Sequence, residues 1–288
     1  MAESGRGISV YEIKFETEDG MKRILLKVAY DGSDFHGWQV QPGVRTVEGE
    51  LNRALSELTK EEITVIGASR TDAGVHSLGN IAVFDTDSTI PPERFSYALN
   101  TLLPEDVKVV CSKEVAEDFH PRKVNCRKIY EYRISLGEFP NPLKRRNSWY
   151  VPYALDTEAM NKAAQVLVGE HDFAGFCSVH TQAESTVRTV YSVEVEAAFE
   201  PKKNNKTKKE NAEKTDAEIV IRICGNGFLY NMVRIIAGTL VEVGSGKRDE
   251  AWVREALESA DRTKSGPTAP PQGLTLVEIN HRYERTNK

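Results

Sequence analysis

Apolar positions along the chain follow two spacings, alternation and recurrence every three to four residues, and the switches between them predict the elements. Ile24 to Tyr30 reads as a strand, closed by the turn pair Asp31-Gly32. Thr46 stands where a helix cap belongs, ahead of Val47, Leu51, Ala54, Leu55 and Leu58 at helical spacing. Ile63 to Ile66 and Ile81 to Phe84 read as strands, and Pro91-Pro92 opens a helix that runs through Leu103 and stops at Pro104. The second half repeats the style. A strand from Ile129 to Ser135 precedes a helix capped by Asp156, with Met160, Ala163, Ala164, Leu167 and Val168 on one face. Alternating strands follow at Val190 to Phe199 and Ile219 to Cys224, then helices from Phe228 to about Val243 and from Glu250 to Ala260.

Strand, helix, strand, strand, helix thus occurs in each half. That order predicts an α+β fold of two related subdomains, with largely antiparallel sheets flanked by helices and a cleft between them. The expected N-terminal subdomain covers residues 21–120 and the C-terminal one 121–284. Residues 1–20 are polar and irregular and are expected to be an extension. Glu200 to Asp216 is a Lys, Asn and Glu run, expected as a lysine-rich insertion at a hairpin tip.

Composition narrows the class. A chain of 288 residues, 40% of them hydrophobic, can bury a core without covalent staples. Its four cysteines, Cys111, Cys126, Cys177 and Cys224, form no CxxC pair, and no two of its six histidines stand at ligand spacing. Structural zinc is therefore not expected, and a reducing, cytoplasmic setting is. No apolar stretch approaches the roughly 20 residues of a membrane span, so no membrane partner is expected. Gly225-Asn226-Gly227 is too short for a dinucleotide fingerprint and reads as a strand-to-helix turn.

A formal net charge of −5 argues against coating nucleic acid over the whole surface, but the charge is unevenly spread. Between Phe119 and Tyr150 lie eight cations, Arg122, Lys123, Arg127, Lys128, Arg133, Lys144, Arg145 and Arg146, against Glu131 and Glu138. Tyr130, Tyr132, Trp149 and Tyr150 are interleaved with them. Cations mixed with aromatics suit phosphate contact plus base stacking, and equally suit a solvated strand and loop.

Two places carry candidate chemistry. In Ser69-Arg70-Thr71-Asp72-Ala73-Gly74-Val75-His76 a single acid sits in a Gly-containing turn, two residues from Arg70, between two predicted strands. A rigid sheet can present a reactive carboxylate in this way, while an Asx-turn or a helix cap would use the same residues. Far along the chain, Arg234 interrupts the apolar run Met232-Val233-Arg234-Ile235-Ile236, where a cation needs a partner. Asn231, Arg234, Gly238 and Glu242 also fall at i, i+3, i+7 and i+11, as they would on an ordinary polar face.

Taken in order, Ala29-Tyr30-Asp31-Gly32-Ser33, Phe35-His36-Gly37-Trp38-Gln39, the Asp72 run, Asp118-Phe119-His120, Lys128-Ile129-Tyr130-Glu131-Tyr132 and Gly227-Phe228-Leu229-Tyr230-Asn231-Met232-Val233-Arg234 through Gly238 closely resemble the tRNA pseudouridine synthase A family. The resemblance spans about Lys22 to Tyr283. Two departures are Ser69, where a Gly commonly precedes the Arg, and Asn80, where a Gln is common.

The resemblance implies an isomerase that turns uridine into pseudouridine in the tRNA anticodon stem-loop, at positions 38 to 40, working as a homodimer without cofactor or metal. It implies Asp72 as the nucleophile, attacking either ribose C1′ or base C6, and Arg234 as its ion-pair partner. Flanking positive charge is expected to hold the Asp72 pKa down. Arg70 corresponds to the residue associated with base flipping, Tyr130 to the active-site tyrosine, and Leu274, in Gly273-Leu274-Thr275-Leu276, to an apolar wall under the site. Arg122, Lys128, Lys144, Arg145 and Arg146 are the expected RNA contacts, and His76 and His120 are assigned structural hydrogen bonds. The competing reading is an RNA-binding or tRNA-folding module that acts without turnover. An Asp-based hydrolase lacks a second carboxylate or metal site to activate water.

Overall fold

The computed structural model describes residues 20–178, 183–199 and 217–281. The expected extension at 1–20, apart from Gly20, the insertion at 200–216 and residues 282–284 lie outside the described residues.

Three strands open the sheet: β1 (Lys22–Tyr30) lies between β3 (His76–Thr86) and β4 (Val107–Val115), antiparallel to both. The short β2 (Ile66–Gly67) pairs with β3. Successive side chains of a strand point to opposite faces. Ile24, Leu26 and Val28 accordingly pack on one side with Val47, Leu51 and Leu55 of α1 (Val47–Thr59) and with Phe95 and Leu99 of α2 (Phe95–Leu102). Leu25, Ile81 and Val83 join a second core on the other side. The Thr46 hydroxyl accepts the Gly49 amide and starts α1 as expected.

The second half supplies β5 (Cys126–Leu136), β6 (Trp149–Val151), α3 (Thr157–Ala164), β7 (Gly169–Asp172), β8 (Val187–Phe199), β9 (Ala217–Gly225), α4 (Met232–Gly244), α5 (Glu250–Ser259) and β10 (Leu274–His281). Tyr132, Ile134, Ile221 and Ile223 face the second core, with Met160 of α3, Ile235 and Leu240 of α4 and Val253 of α5. The fold is α+β, and the strands of both halves form one sheet in the order β4-β1-β3-β10-β5-β9-β8-β7. All pairings in that order are antiparallel except β3 with β10, where Thr275 lies opposite His76. The last strand therefore forms the seam between the halves, and the Asp72 turn sits at its end.

Three differences from the sequence expectation have local causes. β10 was not anticipated as a strand, because a register shift between Leu276 and Glu278 breaks its alternation and puts Ile279, not Glu278, in the core. β4 shows no clean alternation in the sequence because it is an edge strand whose Val110 and Cys111 are exposed. α4 begins at Met232 rather than Phe228, since Asn231 adopts the left-handed conformation at φ 62° and cannot be a helical residue. Among the described residues no helix is long and apolar enough to cross a membrane.

Candidate active site

The turn that carries Asp72 is held from several sides. The Trp38 amide donates to the Thr71 carbonyl at 3.0 Å, the Gly74 amide to the Phe35 carbonyl at 3.2 Å and the Val75 amide to the Asp72 carbonyl at 3.2 Å. The Thr71 hydroxyl shares a 2.7 Å hydrogen bond with the Tyr30 phenol, and the buried Asn80 amide donates to the Ser69 carbonyl at 2.9 Å. The His76 ring accepts the Gly32 amide and donates from Nε2 to the Gln272 carbonyl, the structural part expected of it. Gly37 lies directly beneath the turn at φ +91°, and a Cβ there would stand 2.7 Å from the Thr71 carbonyl oxygen. Gly37→Ala therefore meets both a backbone penalty of about 1 kcal/mol and a clash with the turn. We expect a lower melting temperature and a turnover loss larger than that destabilisation accounts for, checked by calorimetry beside single-turnover rates.

Arg234 closes on this turn from the first turn of α4. Its guanidinium donates to Asp72 Oδ2 at 3.4 Å, to Asn231 Oδ1 at 2.7 Å and to the Ala269 carbonyl at 2.8 Å. The Asn231 amide nitrogen in turn donates to the Ser178 hydroxyl. Gly238, one turn further on, lets the 267–269 segment press against α4, since a Cβ there would lie 1.9 Å from the Pro267 carbonyl oxygen. The Asp72 carboxylate is engaged with Arg234 rather than with amides of its own turn, so it is neither an Asx-turn nor a cap acceptor. Arg234 is correspondingly not on a solvated polar face.

The Asp72 and Arg234 side chains are only 19% and 15% exposed. Burial drives the Asp72 pKa up, Arg234 opposes it, and the net direction is upward. This corrects the expectation of a depressed value. One ion-pair contact at 3.4 Å does not offset the hydration that the carboxylate loses.

The carboxylate opens into a cleft of about 780 Å³ between the halves of the sheet. Arg70, Arg122, Lys128, Tyr130 and Leu274, all expected site residues, line it, and Asp72 is its one acid among the described residues. Arg70 and Arg122 are exposed at its rim. Tyr130 is buried, its hydroxyl 3.0 Å from the Ser69 hydroxyl and its ring edge-on to Phe228 at 5.2 Å. Burial pushes its phenol well above the usual range. Tyr132 shares its face, but its hydroxyl donates to the Pro270 carbonyl, which ties β5 to the segment before β10.

Lys144 and Arg146 are not brought to this cleft. They line a second concavity with Asp31, His76 and Glu131, where Arg146 donates to Asp34 at 3.2 Å, while exposed Arg145 donates to the Pro142 carbonyl. Conversely, the cleft contains Arg188 and the half-exposed Tyr230, which the sequence reading left out as site residues. Tyr230 lies within the Gly227 to Arg234 motif, whereas Arg188 carries no local signal. Among the described residues no group of three His, Cys, Asp or Glu side chains is placed to hold a metal ion.

A model of the tRNA pseudouridine synthase family matches residues 27–122 and 163–282. The chain belongs to the tRNA pseudouridine synthase family. Curated relatives agree: the chain is 45% identical over 259 residues to tRNA pseudouridine synthase A of Thermoanaerobacter pseudethanolicus, covering 90% of this chain and 99% of the relative. It is 46% identical to the protein of the same name from Brevibacillus brevis, with the same coverage, and 41% identical to that of Bacillus pumilus, over 89% of this chain and 98% of the relative. Membership in this pseudouridine synthase family makes the chain an isomerase. The matched spans contain Arg70, Asp72, Arg122, Arg188, Arg234 and Leu274, while Lys128, Tyr130 and Lys144 to Arg146 fall between them.

Proposed function

We propose that the chain isomerises uridine to pseudouridine at positions 38 to 40 of the tRNA anticodon stem-loop, with Asp72 as the nucleophile. The observation that carries this reading is a lone carboxylate, paired with Arg234, in a cleft whose other charged lining residues are Arg70, Arg122, Lys128 and Arg188. A polyanion is drawn to such a cleft despite the net charge of −5. A single acid suits covalent attack at ribose C1′ or base C6 better than hydrolysis by a carboxylate pair. Withdrawing the uridine from its stack costs a few kcal/mol, and Arg70 at the rim is placed to fill the gap. Tyr130 and Leu274 provide an aromatic edge and an apolar wall for the extruded base. We further propose that the protein works in the cytoplasm as a homodimer that takes one tRNA across both subunits.

Mapping pseudouridine by carbodiimide-stop primer extension in transcripts with uridine at 38, 39 or 40 tests the reading. Stops there support it, and modification confined to other arms contradicts it. Arg122→Glu is expected to weaken binding of all these tRNAs and to reduce the salt slope of log K by about 1. A filter-binding salt titration measures this, and Arg145→Glu in parallel shows whether the RNA reaches past the cleft.

A further inference from the structure

Lys128 lies on β5 two residues before Tyr130, on the same face, and its ammonium is enclosed although part of its stem is exposed. Nζ donates both of its hydrogen bonds, to the Ala68 carbonyl at 3.0 Å and to the Ser69 hydroxyl at 3.4 Å, and both acceptors are neutral. A buried charge is stable only beside a counter-charge. Among the described residues the one acid of the cleft is Asp72, and it is paired with Arg234. Burial holds the nearby Cys126 as a neutral thiol. The other charges that bear on the ammonium are two more cations in the lining of the same cleft, Arg188 and Arg122. This corner of the cleft therefore favours an anion.

The donors for such a ligand are in place. Lys128 has committed two of its three ammonium hydrogens. Arg188, half-buried at the start of β8, spends Nη1 on the Ser185 carbonyl at 2.9 Å and the Val187 carbonyl at 2.6 Å, while its Nε and Nη2 donate to no described residue. Arg122 is exposed beside them. The corner also adjoins the Tyr130 ring, because Lys128 Nζ and the Tyr130 hydroxyl both reach the Ser69 hydroxyl, the latter at 3.0 Å. That separation is within the span of one nucleotide, and in RNA the anion that accompanies each nucleotide is its backbone phosphate.

Resting on the reading of this cleft as a pseudouridine synthase site, we propose that Lys128 and Arg188, with Arg122 on the outer side, bind one backbone phosphate of the extruded uridine, and that this phosphate is the counter-charge of Lys128. A nucleotide that leaves its stack turns about its backbone, and the phosphates beside it move with it. An anion site fixed next to the base pocket is reached in the extruded state and not in the stacked one. Its contacts therefore offset part of the cost of extrusion and act on the rate more than on docking of the stem-loop.

Single-turnover rates with anticodon stem-loop RNAs test this, the phosphate on the 5′ or the 3′ side of the target uridine being replaced by a neutral methylphosphonate. Each is compared with an RNA of the same sugars and an ordinary phosphate. One of the two replacements is expected to slow the wild type by about 10- to 100-fold, as loss of a charge-assisted contact does, with a smaller change in affinity. Lys128→Met and Arg188→Met are expected to be slowed by a similar factor on the ordinary RNA, and to lose no more than roughly threefold further on that replacement, because the contact is already gone. Arg188→Met carries the test if the lysine variant does not fold. Wild-type rates unchanged by both replacements, or losses that multiply in the variants as they would for residues that only shape the protein, would overturn the phosphate site. A wild type that forms no pseudouridine in the ordinary RNAs would overturn the reading of the cleft itself.

Discussion

Replacing Asp72 by Asn or Ala is expected to lower turnover on the order of 10⁴-fold or more, as removal of a nucleophile does, while tRNA affinity changes little. The geometry makes the two effects separable. Asp72 lines the cleft and pairs with Arg234, whereas Arg70 and Arg122 are exposed at its rim. The turn itself does not depend on the carboxylate, because Trp38, Phe35, Tyr30 and Asn80 hold it through its backbone and through Thr71 and Ser69. The variant therefore keeps the backbone of the turn and the exposed cations, and loses the attacking oxygen together with the ion pair to Arg234. Equal loss of binding and turnover would instead make Asp72 a binding residue and not the nucleophile.

Arg234→Met is the second large effect. Asp72 must be ionised to attack, so the wild-type rate falls as pH drops through the Asp72 pKa. Burial has already raised that pKa, and Arg234 is the group that restrains it. Removing the cation raises it further, and the acidic limb of the rate–pH profile moves to higher pH. The variant also leaves the Ala269 carbonyl and the Asn231 amide oxygen without their donor, at a cost of about 1–3 kcal/mol each if water does not replace it. We expect a lower melting temperature together with the shifted limb. Arg234→Lys restores the charge but not the three-way fork, so it is expected to recover the pH profile better than the stability.

The α+β class and the caps at Thr46 and Asp156 were legible from local spacing, and the pairing of Asp72 with Arg234 only through the family resemblance, since the spacing around Arg234 suits a polar helix face equally well. The seam was not. β10 carries a bulge, and its parallel pairing with β3 joins residues almost 200 positions apart, which no window of sequence registers. The same distance explains the cations. Arg146 and Arg122 look alike in composition, yet the chain folds the former toward Asp34 and the latter into the cleft of Asp72. Arg188 belongs to the cleft only because β8 begins there. The sign of the Asp72 pKa change depends on how much water the carboxylate loses, and that is a property of packing, not of neighbouring letters.

Tritium release from tRNA transcripts carrying 5-tritiated uridine, with wild type and Asp72→Ala side by side and no cofactor added, tests the central claim most directly. C5 must lose its hydrogen when it becomes the glycosidic carbon. Release by the wild type and none by Asp72→Ala is the predicted result. Release by Asp72→Ala at the wild-type rate would contradict the assignment of Asp72 as nucleophile, and no release by either protein from any anticodon stem-loop substrate would contradict the proposed reaction.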